Sequence, residues 1–294
     1  MKKIIAALRP RWREFKLSIY LLNRNLLTRA AIIMVLLLVV LAVIAPLIIP
    51  YPGHVENEND PANMLQAPSG EHWFGTDELG RDVFSRVLYG TRISLRVSVI
   101  AVAIAVVFGM MLGAIAGAAG GIIDEVIMRI TDIFLSFPSL LLAIAISAFL
   151  GPSLTNAMLA IAVSWWPWYT RIVRGQAVSI RERQFVRAAR AMGTPGHMIV
   201  FKHIIPNTIA QVIVQASMDI GGVIMTLSSL SFLGLGAQAP TPEWGLMINT
   251  GRTYFQTAWW YSIFPGIAIF LTVLSFNLVG DGLREVLDPK TRKL

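Results

Sequence analysis

Between Ala30 and Ile49 every side chain is apolar, with Pro46 near the far end. A run of that length spans the roughly 30 Å hydrocarbon core of a bilayer, and inside lipid a helix satisfies its own backbone hydrogen bonds. Further apolar stretches run over Val97–Ala119, Ile133–Leu150, Ala157–Tyr169, Thr208–Leu230 and Trp259–Val279, so the chain reads as six spans. Composition agrees: 55% of residues are hydrophobic and 14% charged, against about a quarter charged in a water-soluble domain. A soluble globular enzyme is excluded on that balance. The formal charge of +8 reads as an excess of Lys and Arg in cytoplasmic loops rather than as a nucleic-acid surface. The fourth stretch is short and reaches bilayer length only by extending to Arg171 or Arg174, whose stems can snorkel toward the surface.

Loop charges set the orientation. The first 29 residues carry Lys2, Lys3, Arg9, Arg11, Arg13, Lys16, Arg24 and Arg29 against Glu14, and Ile4–Leu8 is too short for a signal-peptide core, so this segment is expected to stay cytoplasmic and uncleaved. The polar, acidic segment 51–92 reads as an external loop. The segment from Arg171 to Pro206 carries seven basic residues against Glu182 and belongs inside. Six crossings return the carboxyl terminus to the cytoplasm. The expected organisation is a cytoplasmic segment 1–29, a six-helix membrane domain 30–280 and a cytoplasmic tail 281–294.

The segment 171–206 is too patterned to be a plain connector. Phe185, Ala188, Ala189 and Met192 fall at i, i+3, i+4 and i+7, one helical face, with Arg183, Arg187 and Arg190 opposite. Gly193 closes that helix. Thr194 as N-cap and Pro195 at the first helical position predict a second short helix through His203 that ends near Pro206. Small side chains beside a glycine turn let another backbone approach, which suits docking of a partner protein; an amphipathic helix lying on anionic lipid is the alternative.

Other candidates each carry two readings. Asp219 is the one acid inside an apolar span, facing either a pore or partner, or held by protonation or a hydrogen bond within the bundle. Trp165, Trp166, Trp168 and Tyr169 around Pro167 form either an aromatic wall of a pore or an interfacial anchor. Gly109, Gly113 and Gly117 have the spacing that brings helix backbones together in lipid, within the subunit or across a dimer. Ser228, Ser229 and Ser231 with Gly234 and Gly236 predict a helix that breaks and turns back at the outer surface. Arg129 and Asp132 have the spacing of a local ion pair. Asp77, Arg81 and Asp82 lie in the turn-rich external block 72–86, which reads either as a docking face for a solute-binding protein or as a cap sealing the bundle.

The run Arg187-Ala188-Ala189, three residues, Gly193, twelve residues, Pro206 resembles the EAA loop of permease subunits in ABC importers. It departs from the general pattern at Arg187, where glutamate is usual, at His203, where isoleucine is usual, and at Ile205, which replaces leucine. Four further blocks resemble the second membrane subunit of dipeptide, oligopeptide and nickel importers: His72 to Arg86, Met128-Arg129 with Asp132, Leu230 to Gly236, and Asn277 to Pro289. The resemblance implies an all-α integral membrane protein of type I ABC importer permease architecture in a bacterial inner membrane. It also implies a second homologous permease subunit, two ATP-binding subunits that hold ATP and Mg, and a periplasmic or lipid-anchored solute-binding protein. On this resemblance Arg187, Ala188, Ala189, Gly193, His203 and Pro206 form the ATPase-coupling loop.

No Gly-Lys dipeptide occurs, so this chain has no GxxxxGK[ST] phosphate loop and is not expected to bind nucleotide itself. A proton-driven secondary transporter using Asp219 is the alternative; it predicts inverted repeats, and none is detectable between the two halves. An intramembrane enzyme is disfavoured, since neither HExxH nor paired acids at membrane depth occur. His54, His72, His197 and His203 lack metal-ligand spacing, and the chain has no cysteine.

Overall fold

The computed structural model describes residue 22 and residues 25–287. The basic positions from Lys2 to Arg24, and residues 288–294 with Pro289, lie outside the described residues, as does the expectation that both termini are cytoplasmic. The described part is built from helices and short 3₁₀ turns.

Helix α1, Leu26–Ile48, starts four residues earlier than the apolar run because Asn25 caps it, its Oδ1 accepting from the Leu27 N–H at 3.0 Å. Most of its side chains face outward, as expected of a helix whose solvent is lipid. Helix α2, Val83–Ala119, is continuous over 37 residues, about 55 Å at 1.5 Å per residue. Within the segment 51–92 the helix begins at Val83: Asp82 caps α2 by accepting from the Ser85 N–H at 2.7 Å, and residues 83–92 are helical.

The third expected span is broken. Helices α3, Gly121–Leu135, and α4, Ser139–Leu150, meet at an 85° bend. Pro138 lacks a backbone N–H to continue the ladder, and α4 is too short to cross alone. Helix α5, Leu154–Arg181, is 28 residues long, so the fourth span runs past Arg171 and Arg174. The connector after this helix accordingly starts at Glu182 rather than Arg171. These arginines are paired instead of only reaching for solvent: Arg174 grips Asp124 with two bonds of 3.0 and 2.6 Å, and Arg171 meets Asp132. Arg129 pairs with Glu125, not with Asp132 as its spacing suggested.

Helix α6, Gln184–Ala191, is followed by α7, Gly196–Ile199, a single π-turn over Val200–Ile204, and α8, Ile205–Phe232. The second cytoplasmic helix does not end at Pro206. Proline fits the first turn of α8, where its missing N–H breaks no bond, so the helical path continues into the membrane. Pro195 is the residue before α7 rather than its first helical residue. After α8 the chain turns back through Gly234 and Gly236 as expected, into α9, Trp244–Gly251, and then α10, Trp260–Leu287. The last helix extends past residue 281, where a tail was expected.

Helices α1, α2, α7 with α8, and α10 are long and apolar enough to cross a membrane; α3 with α4 supplies a bent fifth span. The fourth expected span, α5, has the length but carries Arg171, Arg174 and Arg181 in its second half and is not among these apolar helices. Helices α2 and α5 form the main seam. A Cβ on Gly113 would stand 2.5 Å from the Thr170 carbonyl oxygen, and one on Gly117 would stand 2.5 Å from Ala177 Cβ. Gly109 lies equally close to the Trp166 carbonyl. The glycine spacing thus serves packing within the subunit, where van der Waals contact rather than hydrophobicity joins helices.

Replacing Gly113 by leucine forces the seam apart and is expected to destabilise the subunit by about 3 kcal/mol. Gly175, with open space around it, is the control. Thermal unfolding in detergent should show Gly113→Leu melting well below Gly175→Leu; equal melting would mean that the seam is not formed this way.

Candidate coupling surface and outer cap

Of the expected coupling residues, Arg187, Ala188 and Ala189 lie on α6 and Gly193 in the turn to α7, whereas His203 lies in the π-turn and Pro206 in the first turn of α8. Gly193 has φ +81°, a left-handed conformation that costs a side-chain-bearing residue energy. The Gly193 N–H donates to the Arg190 carbonyl at 2.9 Å and the Thr194 N–H to the Ala189 carbonyl at 3.0 Å, closing α6 with its last carbonyls satisfied. The inward face of α6 is narrower than its sequence pattern suggested. Val186 and Ala189 are buried, whereas Phe185, Ala188 and Met192 are exposed, Met192 at 80%. Arg187 and Pro206 are exposed as well, and the His203 ring lies 5.8 Å from that of Phe185. One patch therefore gathers Phe185, Ala188, Met192 and Gly193 on the surface, with His203 behind it.

Arg190 fastens this segment to α2, and Arg181, the last residue of α5, binds beside it. Arg190 Nη2 donates to the Ala118 carbonyl at 2.9 Å and Arg181 Nη1 to the Gly117 carbonyl at 3.3 Å. The last carbonyls of a helix lack intrahelical partners and carry partial negative charge, so guanidinium groups suit them. The sequence pattern marked Arg190 only as part of a polar face.

At the opposite end of α2, Asp77, Arg81 and Asp82 are 0, 4 and 1% exposed. They do not form a face that a solute-binding protein can touch, which corrects the docking expectation for these three. Asp77 Oδ1 accepts from the backbone N–H groups of Leu79 and Arg81, both at 2.9 Å, and its Oδ2 from Arg81 Nε at 2.7 Å. Asp82 faces His72 Nδ1 at 3.0 Å, and its own N–H donates to His54 Nδ1 at 2.9 Å. The Tyr51 ring stacks on His54 and tilts against His72, with centroids 5.0 and 4.9 Å apart. Arg86 donates to the carbonyls of His54 and Pro240, and Trp244 Nε1 to that of Val87 at 3.0 Å. The block is a cap whose charges are turned inward and mostly paired; Arg86 Nε, 3.5 Å from Asp77 Oδ2, and Glu78 Oε2 make no hydrogen bond. What it leaves exposed is apolar, with Trp73 at 58% and Leu79 at 36%. His54 and His72 escaped notice in the sequence because their partners are distant along the chain.

Within the bundle, both oxygens of Asp219 have partners from this chain: Tyr169 Oη donates at 2.6 Å and Gln215 Nε2 at 2.8 Å. That is the hydrogen-bonded alternative among the readings open for this acid. The tryptophans separate. Trp166 is core, edge-on to Phe108 and Phe134 at 5.3 and 5.2 Å, so it neither lines a pore nor reaches an interface. Trp168 is half-exposed and, with Trp165, Phe137 and Arg171, lines a cavity of about 240 Å³ beside the α3–α4 bend.

Residues 109–293 match the family described as binding-protein-dependent transport system inner membrane component. The chain belongs to this family. Over 96% of its length it is 49% identical to a dipeptide transport system permease protein of Alkalihalophilus pseudofirmus, covering 90% of that protein. It is 45% identical, over 92% of its length, to a probable D,D-dipeptide transport system permease protein of Escherichia coli, again covering 90% of the relative. A glutathione transport system permease protein of Shigella flexneri is 46% identical over 96% of this chain and 90% of its own. The chain is thus a permease component of an ABC importer in the inner membrane, working with ATPase and solute-binding partners, and is not itself an enzyme. These likenesses support the ATP-driven reading over a proton carrier built on Asp219.

Burial lowers the pKa of His54 from its ordinary 6.5, against the smaller opposite pull of Asp82, Glu58 and Asp60 and with a small push from His72. The fold thus favours neutral His54, whose Nδ1 must accept from Asp82. Stability from this contact is complete above about pH 6.5 and is lost as pH falls through the depressed folded value. Protection against hydrogen exchange across residues 54–86, taken relative to the intrinsic exchange rate at each pH, should therefore fall from pH 7.5 to 5, and less so in His54→Gln, whose amide oxygen accepts at every pH. An identical pH response in the two proteins would remove His54 as the cause.

Proposed function

We propose that the surface formed by α6, Gly193 and α7 receives one of two ATP-binding subunits, in which ATP and Mg are held, and that their closure drives this permease between inward- and outward-facing states. The observation that carries the proposal is the patch of Phe185, Ala188 and Met192 beside the open, left-handed Gly193. Side chains of this kind exposed to water on a helix ending in a glycine turn are suited to close approach by another protein. The excess of basic residues from Arg171 to Lys202 supports a cytoplasmic position for this surface, with both termini on the same side. A second, homologous permease subunit completes the path, of which this chain forms half. On the outer side the solute-binding protein meets the exposed Trp73 and Leu79 rather than the buried Asp77, Arg81 and Asp82.

The cargo is a peptide or a related small solute. Support comes from relatives whose names specify dipeptide, D,D-dipeptide and glutathione transport. Uptake by proteoliposomes containing the whole transporter, offered labelled dipeptide and glutathione together with the binding protein, tests this. ATP-dependent uptake of neither would overturn the assignment of cargo.

The coupling surface is tested at Gly193. Nothing lies within 4 Å of a Cβ built there, so within this chain only the left-handed backbone resists a side chain. Asparagine tolerates that conformation far better than leucine. Gly193→Asn is expected to leave the subunit folded and inserted but to reduce copurification of the ATPases by tenfold or so, about 1.4 kcal/mol. Undiminished copurification would show that no partner backbone packs against this turn.

A further inference from the structure

Helix α2 is held at both ends by hydrogen bonds from distant segments. Its inner end accepts from Arg190, which sits on α6, and from Arg181, the last residue of α5. At its outer end Asp82 and Arg86 are fixed to His72, His54 and Pro240, and the Val87 carbonyl accepts from Trp244. Between these ends the helix runs unbroken from Val83 to Ala119, with no proline inside it. Its inner half lies against α5 along three glycines that exclude side chains from the seam. A packed helix of this kind moves as a body along its axis more readily than it stretches, since stretching would break its own hydrogen bonds.

We propose that Arg190 is a positioning residue that transmits movement of α6 to the outer cap through α2. This rests on α6 being the surface that meets the ATPase. The bond to the Ala118 carbonyl is directional and charge-assisted, so displacement of α6 pulls on the end of α2. The outer end responds because the first turn of α2 is part of the cap: shifting Asp82 alters its contacts with His54 and His72 together. Linkage makes the effect reciprocal, so a binding protein that biases the cap also biases α6.

The experiment uses the complete transporter in nanodiscs, with its second permease, ATPases and binding protein, comparing the parent with Arg190→Ala and Arg190→Lys. In Arg190→Ala the readout is the ratio of ATP hydrolysis with loaded binding protein to hydrolysis without it, in assemblies that hold both ATPases. Stimulation of hydrolysis by loaded binding protein should fall roughly tenfold, the size expected from losing one charge-assisted bond. Arg190→Lys, which keeps a cationic donor, should recover much of that stimulation. Hydrogen exchange at residues 76–86 should change on adding a non-hydrolysable ATP analogue in the parent and not in Arg190→Ala.

Full stimulation in Arg190→Ala with intact assembly would overturn the proposal, as would an outer cap whose exchange ignores nucleotide in the parent. Loss of the ATPases from Arg190→Ala would also overturn it, by making Arg190 a docking contact. Failure of the underlying coupling surface is seen separately, as ATPases that remain bound when Gly193 is changed.

Discussion

Backbone contact between α2 and α5 is the constraint on which the rest of the subunit depends. In lipid, leucine against leucine offers no more than leucine against an acyl chain, so two helices stay together where their surfaces fit closely. Gly109, Gly113 and Gly117 provide that fit by removing every side chain from one stripe of α2, and the carbonyls of Trp166 and Thr170 come into the space left. Trp166 and Tyr169 on α5 are buried by the same approach. Other elements are placed relative to this pair: α3 through its ion pairs to Arg171 and Arg174, and α8 through Tyr169 and Asp219.

Polar groups in the bundle follow one tendency, that a charge is matched where it is buried. Arg174 engages Asp124, Asp219 has two donors, and Arg181 and Arg190 meet helix carbonyls. The cap shows the same tendency at higher density, with Asp77 accepting from two N–H groups and a guanidinium. Unmatched charge in low dielectric costs several kcal/mol. These networks therefore fix where the ends of α2 and α5 lie, and the exposed apolar patches on α6 and the cap stand outside them. Those patches are where partners of a permease component have room to act.

Much of the fold was legible in the residues. Apolar runs located the spans, Gly193 marked the end of α6, and the spacing of the glycines announced the seam. Boundaries were less legible where polar residues continue a helix. Arg171, Arg174 and Arg181 looked like loop because arginine is costly in lipid, yet acids on α3 match the first two and a carbonyl of α2 accepts from the third. Pro206 looked like an end because proline usually stops a helix, yet it sits in a first turn that needs no N–H from it. Asp77, Arg81 and Asp82 looked available to a partner because charge in an external loop is normally solvated; the cap turns it inward.

The sequence by itself determined that the chain lives in a membrane, that it is helical, and that a small-residue segment lies on the basic side, because length, periodicity and charge are local properties of the chain. Only the tertiary structure decided which side of α6 faces outward, that α3 and α4 meet at a sharp angle, and that α2 ties the cytoplasmic segment to the outer cap. Those outcomes depend on donors and acceptors such as Arg190 and Ala118, 72 positions apart, and no local pattern specifies which distant carbonyl a guanidinium will reach.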